Sequence, residues 1–164
     1  MIPVPISLSL PSKTFLEGPT VTGKTTSLYP PMNLQQFSDT LDRLGAMLAQ
    51  YQHVDQFSEL IQEAVQESLL QRFEYTVEIA WKSAKRYLIE QEGYAKDMGP
   101  RTVLRLCGEL GLLDAETWLL YLQARQNISH DYSREKAEHV LELTSSFYAD
   151  ARRLYTTLSA KLNA

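Results

Sequence analysis

The chain has 164 residues, with 44% hydrophobic residues, 22% charged residues and a formal net charge of −4. This length allows one domain with a hydrophobic core and is short for two. The acidic balance argues against a protein that coats nucleic acid, although it leaves room for a local phosphate site. A single cysteine, Cys107, excludes an internal disulfide and a cysteine-based zinc site, which predicts a reducing, cytoplasmic environment. No apolar run of about 18 residues is present, so no membrane partner is expected.

Residues 1–31 differ in composition from the rest of the chain. They contain six of the seven prolines, many Ser and Thr residues and no helical periodicity. The prediction is a disordered N-terminal extension, or an upstream stretch in front of a natural start at Met32. Residues 32–164 then form the folded domain.

A phosphate-loop pattern lies inside this N-terminal stretch, from Gly18 to Thr25. A working loop of this kind follows a buried strand and leads into a helix whose amides bind phosphate. Here the apolar pair Phe15 and Leu16, which precedes the pattern, is too short to form a core strand. The stretch from Thr25 to Pro30 is too short to form the helix. The match is interpreted as a coincidence of pattern.

Beyond Met32 the apolar residues recur at three- and four-residue steps, and no strand-like alternation is present. The pattern predicts an all-α fold, an up-down bundle of four to five helices, with Trp81 and Trp118 in the core. The expected helices, in chain order, run from Leu34 to Tyr51, from Leu60 to a stop near Gly93, from Pro100 to Gly111, from an Asp114 cap through Leu122, and from a Ser133 cap to the end.

The segment between the last two helices carries the chemistry. Arg125 and His130 would lie about 140° apart on an unbroken helix, at roughly 100° per residue. The turn-forming residues of 127–133 favour a helix end within this segment, which would let the two side chains converge. An arginine there can bind phosphate bidentately and a histidine can transfer a proton near neutral pH. The pair suits attack of an RNA 2′-hydroxyl on the neighbouring phosphate, without a metal or cofactor.

Four tracts together resemble a known family. Arg125 to Tyr132 resembles the R-x4-H-x-Y signature of HEPN proteins encoded beside minimal nucleotidyltransferases. The segments Gln71–Lys82, Pro100–Val103 and Asp114–Trp118 resemble the branch known as nucleotidyltransferase substrate-binding proteins. The similarity covers residues 32 to about 160 and implies a HEPN-like helical bundle that forms a homodimer.

The resemblance implies one of two functions. In the first, the chain is a ribonuclease toxin of a type VII-like toxin–antitoxin pair, in which Arg125 and His130 are catalytic. The cognate nucleotidyltransferase is then the antitoxin and transfers AMP onto Tyr132. Gln126 stands where relatives commonly have Asn, and Asn127 follows one step later, so these two are the candidate supporting polar residues. In the second, the chain is a non-catalytic substrate-binding subunit of a nucleotidyltransferase.

Overall fold

The computed structural model describes the backbone of residues 31–130 and 134–164, and the side chains of residues 31–128 and 138–164. The N-terminal extension, with its phosphate-loop pattern, therefore lies outside the described residues apart from its last position. The side chains of His130 and Tyr132 lie outside them as well.

Within the described part, the chain is helical and contains no strand. The elements are α1 (Gln35–Tyr51), a short 3-10 turn (Val54–Gln56), α2 (Glu59–Glu90), α3 (Pro100–Glu109), α4 (Ala115–His130) and α5 (Arg134–Leu162). The prediction of an all-α bundle is confirmed. Over the same residues, no helix combines the length and the apolar character needed to cross a membrane.

The short helix α3 begins and ends where the sequence predicts. Pro100 occupies its first turn, where the missing N–H costs no helical hydrogen bond. At its other end Gly111 has a φ of 70°, a left-handed conformation that glycine adopts without strain. The Leu112 N–H then donates to the Cys107 carbonyl over 2.9 Å, which closes the helix with a C-terminal capping motif.

Helix α4 follows after a short turn. The Asp114 carboxylate accepts a hydrogen bond from the Thr117 hydroxyl and lies 3.4 Å from the Thr117 backbone N–H, as expected of an N-cap. Close packing fixes the turn, because a side chain at Gly108 would come within 2.7 Å of the Ala115 Cβ. The predicted Ser133 cap of α5 lies outside the described residues.

Helix α2 is the central element of the bundle, because it packs against α1, α3, α4 and α5. Its inward face buries apolar and small residues along most of its 32-residue length. Burial of this face against four neighbours supplies the hydrophobic free energy that holds the bundle together. The residues of α2 that are buried are Leu69, Phe73, Thr76, Val77, Ala80, Ala84, Tyr87 and Leu88.

An aromatic cluster joins α2, α4 and α5. The Phe147 ring on α5 lies edge-to-face with Phe73, Trp118 and Tyr121, at centroid distances of 5.0, 5.6 and 5.2 Å. Trp118 and Tyr121 also contact each other at 5.9 Å. Edge-to-face pairs add a modest attraction to the burial of their large apolar area. The prediction that Trp118 belongs to the core is confirmed.

Cys107 and Trp81, both predicted from the sequence to be buried, differ in their exposure. Cys107 is fully buried, and burial raises the pKa of its thiol to about 12, so it acts as a small hydrophobic residue. The prediction that Trp81 lies in the core is wrong in part. Trp81 is half-buried, and its indole N–H donates to the Glu78 carboxylate, which draws the ring towards the surface.

Candidate functional site

Arg125 is held by an ion pair between α4 and α2. Its guanidinium Nη2 lies 2.9 Å from the Glu78 Oε2, and the two side chains are 31% and 24% exposed. The neighbouring positions Ala124 and Ile128 are buried, so the arginine leaves α4 at the edge of its packed face. A half-buried, charge-assisted contact of this kind restricts the orientation of the guanidinium.

Glu78 is the centre of a small polar cluster. Its Oε1 lies 2.8 Å from the Lys82 Nζ, and its Oε2 accepts a hydrogen bond from the Trp81 Nε1 over 3.0 Å. Burial alone would raise the pKa of Glu78. The hydrogen bonds from Lys82 and Trp81, together with the positive charges of Arg125 and Lys82, outweigh burial and lower this pKa below 4.5. The carboxylate is therefore ionised at neutral pH and acts as the anchor for Arg125.

A second carboxyl group lies one helical turn before Glu78. Burial raises the pKa of Glu74, and the positive charge of Arg125 opposes this shift without cancelling it. The two carboxyl groups near Arg125 thus differ in environment. Glu78 has direct donors, whereas Glu74 is affected by Arg125 through charge alone.

The backbone places Arg125 and His130 on the same unbroken helix. Helix α4 continues through His130, so the predicted helix end comes after the histidine rather than between the two residues. At roughly 100° per residue, their register positions differ by about 140°. The predicted helix end does fall within residues 127–133, but it comes at His130, so no break separates the backbone of Arg125 from that of His130.

The two supporting polar residues differ in exposure. Gln126 is half-buried, and Asn127 is exposed. The Asn127 Oδ1 accepts a hydrogen bond from the Gln123 Nε2 over 3.1 Å, and Gln123 Oε1 in turn lies 3.3 Å from the Arg101 Nη2. Asn127 thus belongs to an exposed polar row that connects α4 with the start of α3.

Two arginines of α5 could also be thought to contact phosphate. Arg152 pairs with Asp42 over 2.5 Å and donates to the Tyr148 hydroxyl, while Arg153 pairs with Asp150. Both belong to intramolecular ion pairs that do not include Arg125. Among the side chains of residues 31–128 and 138–164, no group of three or more His, Cys, Asp or Glu could hold a metal ion.

The contact between Glu78 and Arg125 is not predicted by the sequence. The spacing of Glu78 and Lys82 indicates an exposed helical pair, which accounts for only one of the contacts that Glu78 makes. One feature of the sequence does indicate that Glu78 has a function: it lies in the Gln71–Lys82 tract, one of the four family-like segments. Nothing in the sequence pairs that tract with Arg125, because the contact is between distant helices.

Replacement of Glu78 by glutamine is expected to lower the free energy of unfolding by about 1 kcal/mol near neutral pH, because Arg125 and Lys82 lose a charged acceptor. The pKa of Glu78 is depressed in the folded state, so its contribution is present above 4.5 and is lost as the pH falls below that value. Urea unfolding of the parent and the variant at about pH 7 and about pH 3 measures this difference.

A matched control is the substitution Glu67→Gln. Glu67 is an exposed residue on the same helix, and its carboxyl group forms no salt bridge in the described part of the chain. This change should alter stability by less than about 0.5 kcal/mol at either pH. A difference between the parent and Glu78→Gln that grows as the pH falls would contradict the assigned role of the carboxylate.

Comparison with known families gives a match over nearly the whole described domain. Residues 32–160 match the family described as nucleotidyltransferase substrate binding protein like. The chain belongs to this family. The match begins three residues before α1, ends inside α5 and includes Arg125 and Glu78. The description of the family connects it with nucleotidyltransferases.

Individual relatives agree with this assignment. A protein named probable ribonuclease HepT from Haemophilus influenzae is 25% identical over 123 residues, which cover 73% of this chain and 84% of that protein. A structure from Haemophilus influenzae, described as the fold of a substrate binding domain of a nucleotidyltransferase, is similar with a TM-score of 0.69 and 25% identity. It covers 77% of this chain and 99% of its own.

A crystal structure from Thermus thermophilus has the same kind of fold. Its TM-score is 0.56 at 26% identity, and the similarity covers 70% of this chain and 98% of the other. Since both solved structures are covered almost completely, this family member contains nearly the entire fold of each.

Proposed function

We propose that this family member is a metal-independent ribonuclease that acts as the toxin of a toxin–antitoxin pair. In this proposal Arg125 and His130 are its catalytic residues, and Gln126 and Asn127 are supporting polar groups. A cognate nucleotidyltransferase neutralises it by transferring AMP onto Tyr132. The similarity to the protein named probable ribonuclease HepT supports the nuclease class.

The observation that carries the proposal is the position of Arg125. Its guanidinium is fixed by the ionised Glu78 carboxylate, remains 31% exposed and lies on the same helix as His130. A fixed guanidinium at the surface can bind a phosphate without first becoming ordered, which makes it effective at stabilising charge.

The proposed reaction is transesterification within RNA. His130 accepts the proton of a 2′-hydroxyl, and the 2′-oxygen attacks the adjacent phosphorus. The bond from phosphorus to the 5′-oxygen breaks, that oxygen takes a proton from solvent, and His130 returns to solvent the proton that it accepted. The products are a 2′,3′-cyclic phosphate and a 5′-hydroxyl end. Arg125 stabilises the charge that develops on the phosphoryl oxygens.

A second copy of the chain would complete this arrangement. Because Arg125 and His130 occupy different faces of α4 in register, one chain does not by itself direct both towards one phosphate. A homodimer that apposes two copies of the motif would supply Arg125 from one chain and His130 from the other. This follows the dimer that the resemblance implies.

The proposed switch acts at Tyr132, two residues after His130. An added AMP carries a negatively charged phosphate, which would repel the RNA backbone and occupy the cleft. The donor would be ATP: the tyrosine oxygen attacks the α-phosphorus and pyrophosphate leaves. The Tyr132→Phe variant would therefore keep its nuclease activity and escape neutralisation.

The second candidate is a non-catalytic subunit that helps a nucleotidyltransferase bind its substrate. It is favoured by the Haemophilus influenzae structure described as a substrate binding domain. The ion pair between Arg125 and Glu78 is also compatible with a purely structural arginine. This candidate requires no function for His130, and the two proposals therefore differ in what a His130 variant does.

Controlled expression of the full chain tests the two candidates. The parent is expected to arrest growth and degrade cellular RNA, whereas His130→Ala should do neither while reaching the same soluble level. His139→Ala, an exposed histidine of α5, is the matched control and should behave as the parent does. Intact RNA and normal growth in cells that contain folded parent protein would favour the substrate-binding subunit.

A further inference from the structure

Helix α3 carries two arginines that lack a carboxylate partner among the described residues. Arg101 and Arg105 are exposed, and no salt bridge joins either of them to another residue of that part. They are one helical turn apart, which places them on the same face at a rise of about 6 Å. Other arginines near the packed helices, such as Arg125 and Arg152, are paired with carboxylates.

This face is continuous with the candidate site. The Arg101 Nη2 lies 3.3 Å from the Gln123 Oε1, and the Gln123 Nε2 donates to the Asn127 Oδ1 over 3.1 Å. We call the residues Arg105, Arg101, Gln123 and Asn127 the α3–α4 row. On α4, Asn127 lies about 60° from His130 in helical register and about 160° from Arg125, so the row reaches the side of the motif on which His130 is placed. The row leads from a basic face on α3 to the motif on α4.

The charges around this row favour an anionic ligand, although the chain as a whole is acidic. Lys82 is 57% exposed beside Glu78, and the Lys85 Nζ donates to the Met98 carbonyl just before α3. The exposed acidic groups at the two ends of α3 are Asp97 and Glu109, and neither forms a salt bridge with the row. The positive charge is therefore local to Arg101 and Arg105, because over residues 100–130 as a whole three arginines are balanced by Glu109, Asp114 and Glu116.

The composition of the row fits a nucleic-acid backbone better than a protein. Cores of protein interfaces are depleted in charged groups and enriched in large apolar side chains. The row offers two guanidinium groups and two amides, which are the groups that bind phosphate and sugar oxygens. Single-stranded RNA is the form that can bind such an exposed row through its backbone while its bases stay free.

We propose that the α3–α4 row binds the single-stranded RNA that flanks the bond cleaved at the motif. Arg101 and Arg105 bind two backbone phosphates. Gln123 and Asn127 bind the nucleotide between those phosphates and the bond that is cleaved. The row positions the substrate and takes no part in the reaction itself. This inference rests on the proposed ribonuclease function and adds the surface that holds its substrate.

The test compares the full chain with Arg101→Gln/Arg105→Gln in cleavage of a labelled single-stranded oligoribonucleotide. Loss of two phosphate contacts should raise KM about tenfold and leave kcat within about threefold. The slope of log KM against log salt should become shallower by about 1.4, since each contact with a single strand contributes about 0.7. Both arginines are exposed, so the variant should keep the stability of the parent.

A matched control is Arg43→Gln/Lys161→Gln, which removes two exposed charges on α1 and α5. It should keep the KM and the salt slope of the parent. An active parent with an unchanged KM and slope in the Arg101/Arg105 variant would overturn the inference and leave the ribonuclease proposal intact. Unchanged cleavage with weaker binding of a nucleotidyltransferase would also overturn it, and would identify a protein interface. A parent that neither binds nor cuts RNA would overturn both.

Discussion

Replacement of Phe147 by alanine is expected to lower the free energy of unfolding by about 3–5 kcal/mol. Phe147 is fully buried, and its ring contacts Phe73, Trp118 and Tyr121 on two other helices. The substitution removes the apolar area of the ring and leaves a cavity between α2, α4 and α5, which tightly packed neighbours can fill only in part. Denaturant unfolding of the purified full chain measures the loss.

The control for this prediction is Phe57→Ala. Phe57 is half-buried in the loop before α2 and lies outside the core, so the same substitution should cost about 1 kcal/mol or less. Equal losses for the two variants would show that the aromatic cluster is not the main packing element between the three helices. A smaller loss at Phe147 than at Phe57 would contradict the assignment of the core.

Replacement of Arg125 by alanine is expected to lower kcat for RNA cleavage by about 10²–10³-fold, the usual cost of removing one donor to a charged transition state. The effect on folding should be small. Glu78 keeps Lys82 and Trp81 as partners after the change, so its carboxylate is not left buried without a donor. Single-turnover cleavage at saturating protein separates the chemical step from binding.

Arg152→Ala provides a matched control, because Arg152 is also an arginine that pairs with a carboxylate between two helices. Its side chain is 37% exposed, close to the 31% of Arg125. This variant should cleave RNA at the rate of the parent. If Arg125→Ala kept a rate within about threefold of the parent, the guanidinium would have only a structural function.

The elements of the fold could be predicted because their signals are local. Pro100, Gly111 and Asp114 mark helix ends through backbone chemistry that depends on one or two neighbouring residues. The apolar periodicity indicated the long helices for the same reason. The size of Trp81 predicts a core position, but this residue is half-buried and its indole N–H donates to the Glu78 carboxylate.

The site could be predicted only in part. Its motif residues are close together in the chain, so the Arg125–Tyr132 segment could be recognised directly. The anchor Glu78 could not, because the contact depends on how α2 and α4 pack, and that is decided by long-range burial. The helical register of Arg125 and His130 also required the structure, since turn-forming residues after Ile128 did not end α4 between them.

The most direct test of the ribonuclease proposal is cleavage of single-stranded RNA by the purified full chain in the presence of EDTA. We expect the parent to generate fragments with 2′,3′-cyclic phosphate ends, and His130→Ala, with an unchanged unfolding curve, to generate none. A folded parent that leaves the RNA intact would contradict the proposal, as would fragments formed equally fast by the His130→Ala variant.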